Sequence, residues 1–179
     1  MTYICFTGGA HGSDYIFERE SIKKGFKVVA YSFEEHNTKS KNQHILTQKQ
    51  LDDGFKHIKI ANKRLNRNLS NLHHYVKSLI SRDWFQVKSS DSIFAVGMIV
   101  GNIVSGGTGY AVACAIDNKK PVYIYDQLYK YWFYYDYEDE QFQIYEGIPK
   151  LTKNFAGIGT RNINNDGVRA IQSLFKNIK

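Results

Sequence analysis

Three short segments set glycines beside hydroxyl or charged side chains: Gly8-Gly9-Ala10-His11-Gly12-Ser13-Asp14, Ser105-Gly106-Gly107-Thr108-Gly109-Tyr110 and Gly157-Ile158-Gly159-Thr160-Arg161. Glycine brings backbone up to an anion with no Cβ in the way and accepts positive φ, so its N–H groups can point at phosphate oxygens. Ser and Thr add hydroxyl donors, and Arg161 adds a planar fork matched to phosphate. His11 can hydrogen-bond a phosphate or move a proton, and it reads equally as a loop histidine left in solvent. Tyr110 can stack on a base or ribose, or simply pack on the neighbouring loop. Asp14 and Glu18 are the candidate catalytic carboxylates, with Asp117 also close to a glycine loop. Against that, Asp14 reads as a helix N-cap and Asp117 as a solvated helix end.

These segments need elements that hold them together. Tyr3 to Phe6 is a short apolar run ending at the first loop, and Tyr15, Ile16, Phe17, Ile22 and Phe26 follow at helical spacing. Lys27 to Phe33 then reads as a buried parallel strand, which completes one βαβ unit. From Thr47 to Lys88 the periodicity predicts two amphipathic helices that break near Asn66 and Asn68. Ser92 to Val96 is a strand, Tyr110 to Ile116 a small-residue helix, and Val122 to Asp126 the next strand. Residues 129–147 alternate aromatic and polar on either side of the acidic Tyr137 to Glu140, which predicts a β-hairpin. Asn154 to Ile158 reads as a last strand and Asn165 to Ile178 as a last helix. Each glycine segment thus follows a strand and opens a helix, the place where an open parallel sheet binds ligands.

The chain has 179 residues, 42% hydrophobic and 23% charged, with two prolines. That length and composition fit a single folded domain over 1–179, with 37–88 a helical insertion and 128–147 a hairpin insertion. No apolar run is long enough to span a membrane, and Met1 to Phe6 leads directly into strand-like sequence, so we expect a cytoplasmic protein without membrane partners. Cys5 and Cys114 both lie in apolar sequence, which suits buried thiols in a reducing compartment. His73-His74 lacks a third ligand, and we expect neither metal nor cofactor. The net charge of +7 is uneven: residues 37–90 hold 11 Lys and Arg against 3 Asp and Glu, whereas 91–150 hold 4 against 8. The basic stretch attracts nucleic acid or phosphorylated ligands, or is a solvated helical face. No segment matches a Walker A loop, and Gly157-Ile158-Gly159 lacks the third glycine of the dinucleotide fingerprint, which disfavours kinases, ATPases and ordinary NAD dehydrogenases.

The first loop resembles the "SGGARGID" strand and loop of the SLOG superfamily. That group comprises the DNA-processing protein A Rossmann domain, the LOG phosphoribohydrolases and YspA-type proteins. Asp91 to Val96, then Ser105 to Gly109 with Ala113 to Asp117 and Lys120-Pro121-Val122-Tyr123, is similar to its second glycine signature and "gKPV" strand. Ala156 to Arg161, with Gly167, Ala170 and Ile171, resembles the "GSR…G…A" opening that normally comes first, so the order looks circularly permuted. The resemblance covers about 100 residues. It implies a Rossmann-like α/β fold, a mostly parallel sheet flanked by helices with an added aromatic β-hairpin, in which the last strand inserts beside the first. It also implies a homodimer or higher oligomer, to which the aromatic hairpin is one candidate contact. In the LOG enzymes a glutamate in PGGxGTxxE is implicated in cleaving an N-glycosidic bond; here that position is Ala113, the proline is Ser105 and the second threonine is Tyr110.

Three functions follow as expectations. The first is binding of a nucleotide or ADP-ribose-like molecule by the three loops, as a sensor or sequestering protein. The second is an N-glycosidic hydrolase or transferase using Asp14 or Glu18. The third is single-stranded DNA binding through the basic stretch. The Lys, Asn, Ile and Tyr usage points to an AT-rich genome such as a phage's, which would place the protein in a host cytoplasm.

Overall fold

The computed structural model describes residues 2–176 and 178. The chain opens with β1 (Ile4–Thr7), α1 (Ser13–Lys23) and β2 (Lys27–Ser32), the expected βαβ unit. A short strand β3 (Gln43–Ile45) follows, so the 37–88 stretch is not helical throughout. Its three exposed residues give no apolar pattern to read, and only pairing with β2 makes them a strand.

Helix α2 (Gln48–Leu65) starts at a capping box in which Thr47 and Gln50 satisfy each other's N–H groups. It ends at Asn66, which adopts the left-handed conformation and donates to the Asn62 carbonyl. After an eight-residue loop comes α3 (His74–Ser89), capped by His73, whose Nδ1 accepts from the Tyr75 N–H. That local role accounts for His73 without a metal.

Then come β4 (Ser92–Gly97), a small hairpin of β5 (Ile99–Val100) and β6 (Ile103–Val104), and α4 (Thr108–Asp117). They are followed by β7 (Val122–Asp126), the aromatic hairpin β8 (Tyr131–Asp136) and β9 (Gln141–Tyr145), then β10 (Asn154–Gly159) and α5 (Asn165–Lys176).

Eight strands form one sheet in the order β3-β2-β1-β10-β4-β7-β8-β9. The first six run parallel, and β7, β8 and β9 are joined by antiparallel pairing. The C-terminal strand β10 therefore lies between β1 and β4, with Ile4 opposite Asn154 and Phe94 opposite Gly157. This is the α/β, Rossmann-like architecture expected from the sequence. No helix among the described residues is long and apolar enough to cross a membrane.

Alternation along the central strands serves two cores. Ile93 and Ala95 of β4 join Ile58, Trp84 and Val112 in a cluster with α2, α3 and α4, while Phe94 and Val96 join Phe17, Ile171 and Phe175 in a cluster with α1 and α5. The hairpin feeds both layers, because Tyr135 belongs to the first and Trp132 to the second. Cys5 and Cys114 are buried free thiols. Gly157 lets α1 settle on β10, since a Cβ there would lie 2.4 Å from the Phe17 ring.

Candidate functional site

Parallel strands end on one edge, so the loops after β1, β4 and β10 meet where the sequence places them. A cleft of about 520 Å³ opens between them, with Gly106, Gly107, Thr108, Gly159, Thr160 and Arg161 in its lining. Ala10, Asp14 and Ser105 line it too, and α3 forms the opposite wall.

The loop after β1 faces inward. The Asp14 carboxylate, 3% exposed, accepts from Gly8 N–H at 2.9 Å and from Gly159 N–H at 3.1 Å. It therefore sits where a ligand phosphate was expected and ties the β1 loop to the end of β10. It does not cap its own helix; the N-cap position belongs to Gly12. Burial raises the Asp14 carboxyl to about 6, against the downward pull of the Arg82 charge and of the Gly8, Gly159 and Ala10 N–H groups.

The rest of this loop is also engaged. Gly9 N–H donates to Thr7 Oγ1, and the Gly9 carbonyl accepts from Thr38 Oγ1 at 2.5 Å. Ser13 N–H and Oγ both donate to the Thr160 carbonyl. Gly12 is required here, since at φ +92° a Cβ would also lie 2.5 Å from that carbonyl. Glu18 is buried and accepts from Ser40 Oγ and Asn42 Nδ2, both at 2.8 Å, which fastens the 38–42 loop from behind. His11 is exposed and is not part of the cleft lining.

The loop before α4 is open. Among the described residues nothing accepts from the N–H groups of Gly106, Gly107 or Thr108, and α4 has no side-chain cap. Its helical bonds begin only at Gly109 and Tyr110, which donate to the Gly106 and Gly107 carbonyls. Arg67 holds this loop from outside, donating to the Gly106 and Val104 carbonyls. The same guanidinium lies 5.0 Å from the Tyr110 ring centre, so Tyr110 is buried under Arg67. Gly109 packs against the Val104 carbonyl.

In the loop after β10, Thr160 N–H donates to Val96 and Thr160 Oγ1 accepts from Asn162 N–H. Asn164 Oδ1 caps α5 by accepting from Gly167 N–H. Arg161 is exposed at the mouth of the cleft, and among the described residues its guanidinium has neither a hydrogen bond nor an ion pair.

Helix α3 supplies what the sequence reading missed. Arg82 and Asp83 line the cleft and are 6% and 7% exposed. Arg82 Nη1 donates to the Gly8 carbonyl and lies 3.1 Å from His36 Nε2, while its Nε has no partner. Among the described residues no carboxylate forms an ion pair with it. His36 is neutral, pushed down to about 3 by burial and by the Arg82 and Arg161 charges. Asp83 is raised to about 8, chiefly by burial. The missed signal was positional. Val76, Leu79 and Ile80 lie on the apolar stripe of α3, and the next position of that stripe is Asp83.

The basic stretch is largely engaged with its own fold. Lys56 pairs with Asp53, Lys77 with Asp52, and Arg64 with Asp117. Lys59 and Lys77 also lie over the Phe55 ring. No protein family, curated protein or solved structure matches the chain.

Proposed function

We propose that this protein binds a small phosphate-bearing molecule, a nucleotide or nucleotide derivative such as ADP-ribose, in the cleft at the carboxyl edge of the sheet, as a sensor or sequestering protein. The observation that carries this reading is Arg82: a guanidinium 6% exposed in the wall of a cleft, with an unpartnered Nε and no ion pair among the described residues. A buried cation held in no close ion pair, with an unpartnered N–H, is costly, and an anionic ligand relieves that cost. Two further features supply the rest of an anion cradle. The N-terminus of α4 offers free N–H groups with the positive end of the helix dipole, and Arg161 offers a free fork at the mouth. The resemblance to the SLOG superfamily supports a nucleotide over a simpler anion.

The test is the melting temperature against AMP, ADP-ribose, cyclic ADP-ribose isomers, NAD and short oligonucleotides, with Arg161→Ala as control. A ligand at about 100 times its Kd adds roughly 2.7 kcal/mol, and the variant should lose most of that shift while melting normally on its own. No shift with any nucleotide would overturn the reading, and a shift with oligonucleotides alone would move the function to the basic stretch. Chromatography of the same samples separates binding from turnover. An intact nucleotide supports a sensor, and a released base supports an N-glycosidase with Asp14 as its cleft carboxylate.

A further inference from the structure

Asp83 stands on the face of α3 that walls the cleft, in line with Val76, Leu79 and Ile80. Among the described residues its carboxyl has one hydrogen bond, a long one from Gln86 Nε2 at 3.4 Å, and no ion pair. An apolar wall and a single weak donor cannot hold a carboxylate in its charged form. The charged and titratable groups around it are few. Arg82 is its neighbour on α3 and spends Nη1 on Gly8 and His36; Asp14 approaches from α1 and repels it. Cys114 of α4 is a buried thiol raised far above its usual range and so is neutral, and β10 carries no titratable side chain. On α2, His57 is stacked on Trp84. A neutral acid in this place carries an O–H, and among the described residues that line the cleft none accepts it.

We propose that Asp83 is a protonated carboxylic acid in the folded protein and donates its O–H as a hydrogen bond to an anionic oxygen of the ligand, so that the cleft binds its anion together with a proton. This rests on the anion-binding reading above and adds a specificity determinant to it. A charged Asp83 would repel the same anion that Arg82 and Arg161 attract, so the proton decides the sign of this wall. Burial raises the Asp83 carboxyl to about 8.

Sulfate is the probe, because its charge is constant across the range in which Asp83 titrates. The Asp83 carboxyl carbon is followed by NMR in the wild-type protein against pH, with and without saturating sulfate, and Asp83→Asn assigns the signal. Without sulfate the titration should lie near 8. With sulfate it should move up by about one pH unit for each tenfold excess over the Kd, and the affinity should fall about tenfold per unit above the titration point. Asp83→Asn, which keeps a donor, should bind sulfate with no such pH dependence, and Asp83→Leu should bind it at least tenfold more weakly at every pH.

Titration below about 6 in the free protein overturns the inference. So does an Asp83 signal that ignores bound sulfate, the result expected if the proton is held by the buried, unpartnered Gln86 Oε1. In either case, sulfate binding that still weakens in Arg161→Ala leaves the anion cleft standing. Absence of any sulfate binding removes both readings together.

Discussion

The loops after β1 and before α4 have nearly the same composition, and both open a helix at the same edge of the sheet, yet they do opposite things with their N–H groups. Gly8 to Gly12 closes around an internal anion, the Asp14 carboxylate, and is sealed by Thr38, Arg82 and Thr160. Gly106 to Thr108 closes around no side chain, and among the described residues its N–H groups have no acceptor. The lesson is that a glycine loop is a device for holding an anion, and the fold can supply the anion itself. One loop then builds the site and the other is left to bind.

The sharpest way to break this contrast is to put a methyl group on each loop. Gly12→Ala forces positive φ on a side chain that also meets the Thr160 carbonyl, and should cost about 3 kcal/mol, or roughly 10 °C in Tm. Gly107→Ala, in ordinary helical conformation with open space around it, should stay within about 0.5 kcal/mol of wild type. Equal losses in the two variants would mean that both loops are closed.

Next in size is the pH dependence of folding. Both cleft carboxyls have raised titration points, so the folded state holds protons that the unfolded chain releases near pH 4, and stability falls as pH rises from there. The Asp14 contribution is lost by about 6 and the Asp83 contribution by about 8. Between those two values one proton sets a slope of about 1 kcal/mol per pH unit. Denaturant titrations of wild type and Asp83→Asn should differ by that slope in this window and run parallel above it. Parallel curves throughout would mean that Asp83 is charged.

Removing the internal anion should cost somewhat less. Asp14→Ala leaves the buried Gly8 N–H and the part-buried Gly159 N–H unpaired, at about 2 kcal/mol, and Asp14→Asn, which keeps one acceptor, should lie between it and wild type. An Asp14→Ala protein as stable as wild type would show that the first loop needs no anion. The smallest effect belongs to Arg161→Ala, within about 0.5 kcal/mol in the free protein because its guanidinium holds nothing in place.

Local sequence was enough for the order of elements. Apolar runs four to six residues long, glycine punctuation and the 3.6-residue periodicity of α2 and α3 act over a few neighbours, and they placed every strand of the sheet except β3. The hairpins followed the same rule. The aromatic β8–β9 pair shows its alternation plainly, whereas β5 and β6, two residues each, are too short to have a period. Even the place of β10 was legible, because its glycines resemble those of a first strand.

What the sequence by itself determined is therefore the α/β layering and the edge of the sheet where three glycine loops gather. Only the tertiary structure decided which loop is free. Asp14 finds the Gly159 N–H 145 positions away, Thr38 closes over Gly9, and Glu18 turns to Ser40 and Asn42. It also decided that Arg82, which lies beside Asp83 but off the apolar stripe of α3, is buried in the cleft wall. Burial and long-range hydrogen bonds depend on which surfaces meet when the layers pack, and periodicity along one element carries no information about its partner.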